Sequence, residues 1–293
     1  MIRNSPYQDK SGALVSLVTT PIGNLKDITY RAIDALKEAD IIACEDTRNT
    51  GLLLSQYSIQ PKKLVSLYAQ TELSEATQLV KLVKARKLKL CYCSDAGMPG
   101  ISDPGSLLVQ ACYREAVPVT IIPGPTASLS ALVLSGIDSA DFTFLGFLPT
   151  KPGAIVKLLK DYVSRPETLI LYESPKRVLD TLRVLADVFG PDREISLVRE
   201  LTKIHEEVIH GTIKELLSGL NPDVKGECVL VIKGGSQVKD SLTDEEITAL
   251  IQQGLKEGKS LSSLAKEISD ATGAKKNQVY RLGLALSQKN SRK

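Results

Sequence analysis

The stretch LKLCYCSDAGMPGISDPG (residues 88–105) decides the architecture. Its first six residues are a run of strand length. The rest holds three glycines, two prolines and two aspartates. A strand that opens into such a turn and continues as a helical pattern, here SLLVQACYREA (106–116), is a βα unit. Cys91 and Cys93 alternate along the run, so they share one side of the strand, where a thiol packs as a small hydrophobe.

The same pattern repeats to either side. Apolar, β-branched runs occur at ALVSLVTT (13–20), ADIIACED (39–46), VPVTIIPG (117–124), TLILYES (168–174), EISLVRE (194–200) and ECVLVIKGG (227–235), with helix-period stretches between most of them. The alternation predicts an α/β fold with largely parallel sheets. Asp103 with Pro104, and Ser174 with Pro175, read as helix starts. Val178, Leu179, Leu182 and Leu185 make one apolar stripe that Gly190-Pro191 stops. A boundary falls near PGPTAS (123–128), giving a first α/β domain over 12–123 and a second over 124–237. Residues 1–11 read as a flexible polar arm. Beyond KGGSQVKD (233–240) the strand pattern ends, and 238–293 reads as three helices, with Thr243 and Glu246 as a capping box. The segment TGAKKNQVYRL (272–282) resembles the turn and second helix of a helix-turn-helix, a common nucleic-acid module that other small helical caps imitate.

Composition narrows the function. No apolar stretch among the 293 residues reaches the roughly 18–20 needed to cross a bilayer, so no membrane association is expected. MIRNSPYQDKSG (1–12) lacks the apolar core of a secretory signal. Five cysteines with no CxxC pair argue against a disulfide framework or a zinc site, and His205 and His210 alone do not make a metal centre. These features predict a reduced cytoplasmic protein that works without a metal. Net charge is only +3, but it is uneven. Lys275 to Lys293 holds six Lys or Arg and no acid, with Lys275, Lys276 and Arg281 foremost, and Lys81 to Lys89 holds five more. Both are candidate phosphate-contacting patches, or simply solvated faces.

The glycine turn is not built for a di- or triphosphate. It lacks the lysine of a Walker loop, and Gly97, Gly100 and Gly105 do not have the GxGxxG spacing. Its side chains are acidic: Asp95 and Asp103 repel phosphate and welcome a cation or ribose hydroxyls. A nucleoside with a positive centre fits, S-adenosylmethionine being one, while purely structural turns remain the alternative. TTPIGNLKD (19–27), with Pro21 and Gly23, and PGPTAS, with Thr126 as helix cap or ligand hydroxyl, follow other strands and would gather on the same sheet edge.

Eight segments occur in order: TPIGNLKDIT (20–29), ACEDTR (43–48), SDAGMPGISDPG (94–105), PGPTAS, GFLP (146–149), LYESPKR (171–177), RELTKIHEE (199–207) and KKNQVYRL (275–282). Through them residues 12–289 resemble the bacterial 16S ribosomal RNA cytidine 2′-O-methyltransferases of the tetrapyrrole methylase superfamily. The resemblance implies two α/β domains of the class III methyltransferase type, with S-adenosylmethionine in the cleft between them. It also implies a small all-α C-terminal domain that grips RNA, and a homodimer. The implied reaction is 2′-O-methylation of a decoding-centre cytidine in 16S ribosomal RNA, free or within the small subunit. Implied cofactor contacts are Pro21, Gly23, Asp95, Ala96, Gly97, Ile101, Ser102, Thr126, Ala127, Leu171, Tyr172 and Gly211. Two departures stand out: Met98 where relatives commonly carry threonine, and LYAQTE (67–72) where they often carry histidines and an asparagine.

Methyl transfer to a ribose hydroxyl needs in-line positioning and a proton acceptor, or a cation that lowers the hydroxyl pKa. Glu45, Asp46 and Arg48 end one strand; Arg199, Glu200, Lys203 and Glu206 end another. Asp46 or Glu200 is the expected acceptor, with Arg48, Arg199 or Lys203 as phosphate or hydroxyl contacts; an interdomain ion-pair network is the competing reading. Glu173 is placed to orient Arg177. Two other functions share these features: a small-molecule methyltransferase acting on tetrapyrroles, and a non-catalytic RNA-binding assembly protein.

Overall fold

The computed structural model describes residues 4–67, 72–102, 105–235, 243–272 and 274–290. Asp103 and Pro104, and Tyr68 to Thr71 of the LYAQTE departure, lie outside them. The chain divides into two compact units, Met1–Leu159 with Glu167–Lys233, and Lys160–Pro166 with Gly234–Lys293.

The large unit opens with β1 (Leu14–Val18), α1 (Tyr30–Glu38), β2 (Ile41–Cys44), α2 (Thr47–Gln56), β3 (Leu64–Ser66), α3 (Glu72–Arg86), β4 (Lys89–Cys93), α4 (Ser106–Glu115) and β5 (Val119–Ile122). The strands form an all-parallel sheet in the order β3-β2-β4-β1-β5. A strand covered on both faces needs apolar residues at every position, which is why β4 reads as a continuous run. Leu90 and Tyr92 face one way, into a core with Val80 and Val83 of α3 and Leu108 of α4. Cys91 and Cys93 face the other, onto Ala32 and Leu36 of α1 and Leu54 of α2, so the shared side read from their spacing holds. The helix after β1 therefore lies on one face and the helix after β4 on the other. That parting opens a crevice at the carboxyl ends of these neighbouring strands.

The amino-terminal segment touches the first sheet through Asn4. Asn4 Nδ2 donates to the Val119 carbonyl at 2.7 Å, and its Oδ1 accepts from the Val119 amide at 3.2 Å. One side chain thus occupies the open backbone of the edge strand.

The large unit continues through α5 (Ala127–Ser135), β6 (Phe142–Phe147), α6 (Pro152–Leu159), β7 (Thr168–Glu173), α7 (Val178–Phe189), β8 (Glu194–Arg199), β9 (Glu207–Thr212), α8 (Ile213–Gly219) and β10 (Cys228–Ile232). The order of the second sheet is β6-β7-β10-β8-β9. Here the expectation of parallel pairing fails: only β6 and β7 run parallel, while β7-β10, β10-β8 and β8-β9 are antiparallel. β8 turns straight back into β9 with no helix between them, and a hairpin can only be antiparallel. α5 packs on this sheet through Ala131 and Leu132 against Ile170, Val198, Val229 and Val231. α7 starts at Val178, not beside Ser174; Ser174 instead opens a turn whose carbonyl accepts from the Arg177 and Val178 amides. α4 likewise begins at Ser106, with Gly105 at its N-cap.

In the small unit, α9 (Asp244–Lys256), α10 (Leu261–Thr272) and α11 (Lys276–Asn290) enclose Ile247, Ile251, Leu264, Ala265, Ile268 and Val279. The Thr243–Glu246 capping box is present in both directions.

Candidate active site

Four turns meet at the carboxyl edge of the parallel sheet. The turn after β1 is fixed to the turn after β4 by a two-way bridge: Thr20 N donates to Gly97 O at 3.0 Å and Gly97 N to Thr20 O at 3.1 Å. Gly97 has φ 78°, and a Cβ there would sit 3.3 Å from Ile22 Cγ2. The backbone is left-handed and crowded, so glycine is required. The turn after β5 ends at Thr126, the N-cap residue of α5, whose side chain makes no cap hydrogen bond. The first-turn amide of Ser128 is bound by the Tyr172 hydroxyl from β7, at 3.2 Å.

These turns form one wall of a cavity of about 450 Å³. Ile22, Asp95, Ala96, Gly97, Met98, Ile101 and Ser102 come from the turns after β1 and β4, Glu45 from the end of β2, and Thr126 with Ala127 from the start of α5. The facing wall is the second sheet: Phe147, the Tyr172–Pro175 segment, and Glu227 to Val229 at the start of β10. Phe144 and Phe147 pack edge-on against the Tyr172 ring, with centroids 4.8 and 5.6 Å away.

The charged groups lining this cavity are Glu45, Asp95, Glu173 and Glu227; among the described residues no Lys, Arg or His lines it. Three of the four carboxylates are committed. Asp95 accepts from the Asp46 amide at 3.3 Å and from Asn49 Nδ2 at 2.7 Å. Glu173, 3 % exposed, accepts from the Ser174 amide and Thr181 Oγ1 and pairs with Arg177 at 3.5 Å. Arg177 also donates to the Leu148 and Pro149 carbonyls, so Glu173 does orient it, and the pair ties GFLP to YESPKR. Glu227 pairs with Lys203 at 3.0 Å. Among the described residues none donates to the half-buried Glu45 carboxylate. Burial, reinforced by the charges of Asp95 and Asp46, raises its pKa.

Of the twelve expected cofactor contacts, Asp95, Ala96, Gly97, Ile101, Ser102, Thr126, Ala127 and Tyr172 line the cavity. Pro21 and Gly23 flank the lining residue Ile22, and Leu171 is buried beside Tyr172. Gly211 sits on edge strand β9 opposite Ile195 and does not line it. Gly23 has a different partner: a Cβ there would meet Lys203 Cγ at 2.5 Å, Thr202 Oγ1 at 2.7 Å and Leu201 O at 2.9 Å. The two expected proton acceptors are engaged elsewhere. Asp46 caps α2, and both its oxygens bind the Arg48 guanidinium, which holds its pKa down to about 2. Glu200 is held low by Lys203, then by the Glu227 amide. A carboxylate so lowered is a weak base. Arg199 pairs with Glu207, and His205 is exposed. Lys275 just before α11, and Lys276 and Arg281 in its first two turns, are exposed. In the other basic patch, Lys81 and Lys84 bind Glu115 and Lys89 binds Glu38. Sequence reasoning missed Glu227 and Phe147; the acid opening ECVLVIKGG was the only local sign of the former.

Residues 14–217 match the family model described as Tetrapyrrole (Corrin/Porphyrin) Methylases. The chain is 39% identical over 283 residues to "Ribosomal RNA small subunit methyltransferase I" of Streptococcus pyogenes serotype M3, covering 95% of this chain and 97% of that protein. It is 44% identical over 219 residues to the Hydrogenobaculum sp. protein of the same name, covering 74% of this chain and 94% of that one. Among solved structures, a uroporphyrin-III-C-methyltransferase from Thermus thermophilus superposes with a TM-score of 0.53 at 19% identity, over 78% of this chain and 96% of that one; this likeness speaks to the fold.

Proposed function

Because the chain belongs to the tetrapyrrole methylase family, as a member of the group named ribosomal RNA small subunit methyltransferase I, we propose that it methylates the 2′-hydroxyl of a cytidine in 16S ribosomal RNA with S-adenosylmethionine. The observation that carries this reading is the cavity itself: glycine turns on one wall and four carboxylates, with no Lys, Arg or His lining it among the described residues. Such a lining disfavours phosphate and suits a cationic nucleoside.

In this reading Asp95, Ala96, Gly97, Ile101, Ser102, Thr126, Ala127 and Tyr172 hold the cofactor. Pro21, Gly23 and Leu171 shape the turns around it. When bound, the cofactor supplies an electrophilic methyl group on a sulfonium whose departure as a neutral thioether needs no protonation. The chain supplies position. Thr126 has no cap bond to make, so its hydroxyl serves the ligand, and the Tyr172 ring cluster excludes water. Met98 lines the cavity where a threonine is common, which leaves the turn to contribute backbone at that position. Arg48, largely exposed at the end of the β2 turn, meets RNA phosphate, with Lys203 set deeper beside Glu227. Lys275, Lys276 and Arg281 extend the phosphate contacts. The family resemblance adds a cytoplasmic homodimer as the working form, with 16S ribosomal RNA or the small ribosomal subunit as its partner.

Labelled S-adenosylmethionine offered with unmodified small ribosomal subunits, and separately with tetrapyrrole precursors, tests the reading. Label is expected in 16S RNA, at a ribose of a cytidine. Label only in a tetrapyrrole, or cofactor binding with no transfer to either, would end it.

A further inference from the structure

We propose that Glu45 is the group that accepts the proton of the attacking ribose hydroxyl. This inference rests on the methyl-transfer reading above. It begins with an elimination among the carboxylates that line the cavity. Glu173 is filled by the Ser174 amide, Thr181 and Arg177, and its task is to hold the 148–149 segment. Asp95 spends one oxygen on the Asp46 amide and the other on Asn49, which ties the turn after β4 to α2. Glu227 is paired with Lys203, and the Glu227 side chain is 76% exposed. Glu45 lines the same cavity, is half-buried, and receives no hydrogen bond from a described residue. An unbonded, partly desolvated carboxylate keeps its basicity, which bonded ones lose.

The neighbouring residues explain how this state is maintained. Arg48 is two residues beyond Asp46 in sequence, and both Asp46 oxygens bind it. Asp46 thereby neutralises the one cation on this turn that would otherwise quench its neighbour. Among the described residues, the charged groups around Glu45 are then Asp95 from the turn after β4, the Asp46–Arg48 pair on its own turn, and, from the facing sheet, Glu173 backed by Arg177 and Glu227 backed by Lys203. The balance around Glu45 is acidic, and burial adds to it.

In the step, the substrate oxygen gains a bond to the methyl carbon as that carbon's bond to sulfur breaks. The bonding pair stays on sulfur, and the hydroxyl proton passes to the Glu45 carboxylate. No further reactant is needed. General-base assistance of this kind is worth about 10²–10⁴ in rate.

The test uses the whole chain and two readouts. The first is single-turnover transfer to unmodified small ribosomal subunits at saturating cofactor. Glu45→Gln is expected to lose about 100-fold or more, with Glu45→Asp intermediate. The acid limb of the wild-type rate is expected to have its midpoint above the ordinary glutamate value; a limb near pH 2 would assign the proton to Asp46, and either that result or no limb at all would overturn the proposal. The second readout is calorimetric binding without RNA. A sulfonium beside an ionised Glu45 makes S-adenosylmethionine affinity fall as Glu45 takes up its proton on acidification, more steeply than that of neutral S-adenosylhomocysteine. Glu45→Gln is expected to remove that difference while keeping S-adenosylhomocysteine affinity within about threefold. That retained affinity also shows the variant is folded; if Glu45→Gln does not fold, the wild-type pH limb and Glu45→Asp decide. A Glu45→Gln rate within threefold of wild type overturns the assignment of Glu45 alone. Wild-type protein that binds cofactor but transfers no methyl to RNA overturns the underlying reading instead.

Discussion

The Tyr172 hydroxyl of β7 lies 3.2 Å from the Ser128 amide at the start of α5, and so performs the capping that Thr126 leaves undone. One bond therefore joins the two walls of the cavity. Tyr172→Phe removes the acceptor and leaves an amide in the first turn of α5 unsatisfied. The expected cost is about 1 kcal/mol, or roughly 2–4 °C in melting temperature for a unit of this size. Cofactor affinity should fall with it, because the Thr126 side chain can then turn to cap its own helix. Differential scanning fluorimetry and calorimetry read the two effects; a melt and an affinity both equal to wild type would show that the bond carries nothing.

Two glycines should respond in opposite directions to alanine. Gly23→Ala drives a methyl into Lys203, Thr202 and the Leu201 carbonyl, one of them rigid backbone, and is expected to cost about 1–3 kcal/mol. Gly51 lies inside α2 with open space around it, so Gly51→Ala is expected to stabilise by about 0.5–1 kcal/mol. Urea midpoints measured on the pair give both signs in one experiment.

The Asp46–Arg48 pairing predicts a pH signature. The Asp46 pKa falls from 3.8 to about 2 on folding. The charged form is favoured in the native state, so its contribution is complete above about pH 4 and disappears as pH drops through about 2. Asp46→Asn keeps the cap and lacks the charge. The urea-midpoint gap between wild type and this variant should be flat from pH 7 to 5 and close between pH 4 and 2. A gap independent of pH would mean that capping, not charge, is what Asp46 provides.

Arg177→Ala strips a partner from Glu173, which is only 3% exposed, and leaves two carbonyls of the 148–149 segment unbound. Removing one member of a buried charged pair costs about 3–5 kcal/mol; with two other donors remaining on Glu173, the lower end is expected. Chemical denaturation checks the figure.

Deleting 234–293 removes Lys275, Lys276 and Arg281 but no residue that lines the cavity. S-adenosylmethionine affinity should stay within threefold, while RNA affinity weakens and its salt dependence flattens by up to about 0.9 in log–log slope for each of these three cations that meets a phosphate. A matching loss of both affinities would make the helical unit a brace. The Hydrogenobaculum relative, aligned over 74% of this chain and 94% of itself, shows that shorter proteins carry the same name.

The sequence made legible what local chemistry decides. The strands β1, β2, β4, β7, β8 and β10 showed as apolar runs because both faces are covered, and β5 showed as one although its Ile121 is exposed. β9 escaped because EVIHGT is an edge strand with no fully buried residue. β6 is absent from the apolar runs, and it is irregular: its register shifts between Phe144 and Gly146. The antiparallel character of the second sheet followed from a hairpin whose return strand carried no signal. In the site, the acidic glycine turn from Asp95 and the Thr126 cap were legible from residue type, while Ile101, Ser102 and Tyr172 were expected only through the family resemblance; all of them line the cavity. The need for glycine at position 23 was assigned to a ligand, because its true neighbour, the Leu201–Lys203 turn, is far away in sequence. The contrast between Glu45 and Asp46, adjacent carboxylates with opposite environments, depends on where the Arg48 side chain folds, which no spacing rule contains.

Asn4 has a bearing on how the protein is handled at the bench. Its amide occupies both hydrogen-bonding positions of Val119 on a border strand that would otherwise offer a template to another chain. Shortening the amino terminus past Asn4, or displacing it with a bulky fusion, would expose that template and favour clumping at high concentration. Purification handles therefore belong ahead of an untouched Asn4, separated from it by a flexible spacer.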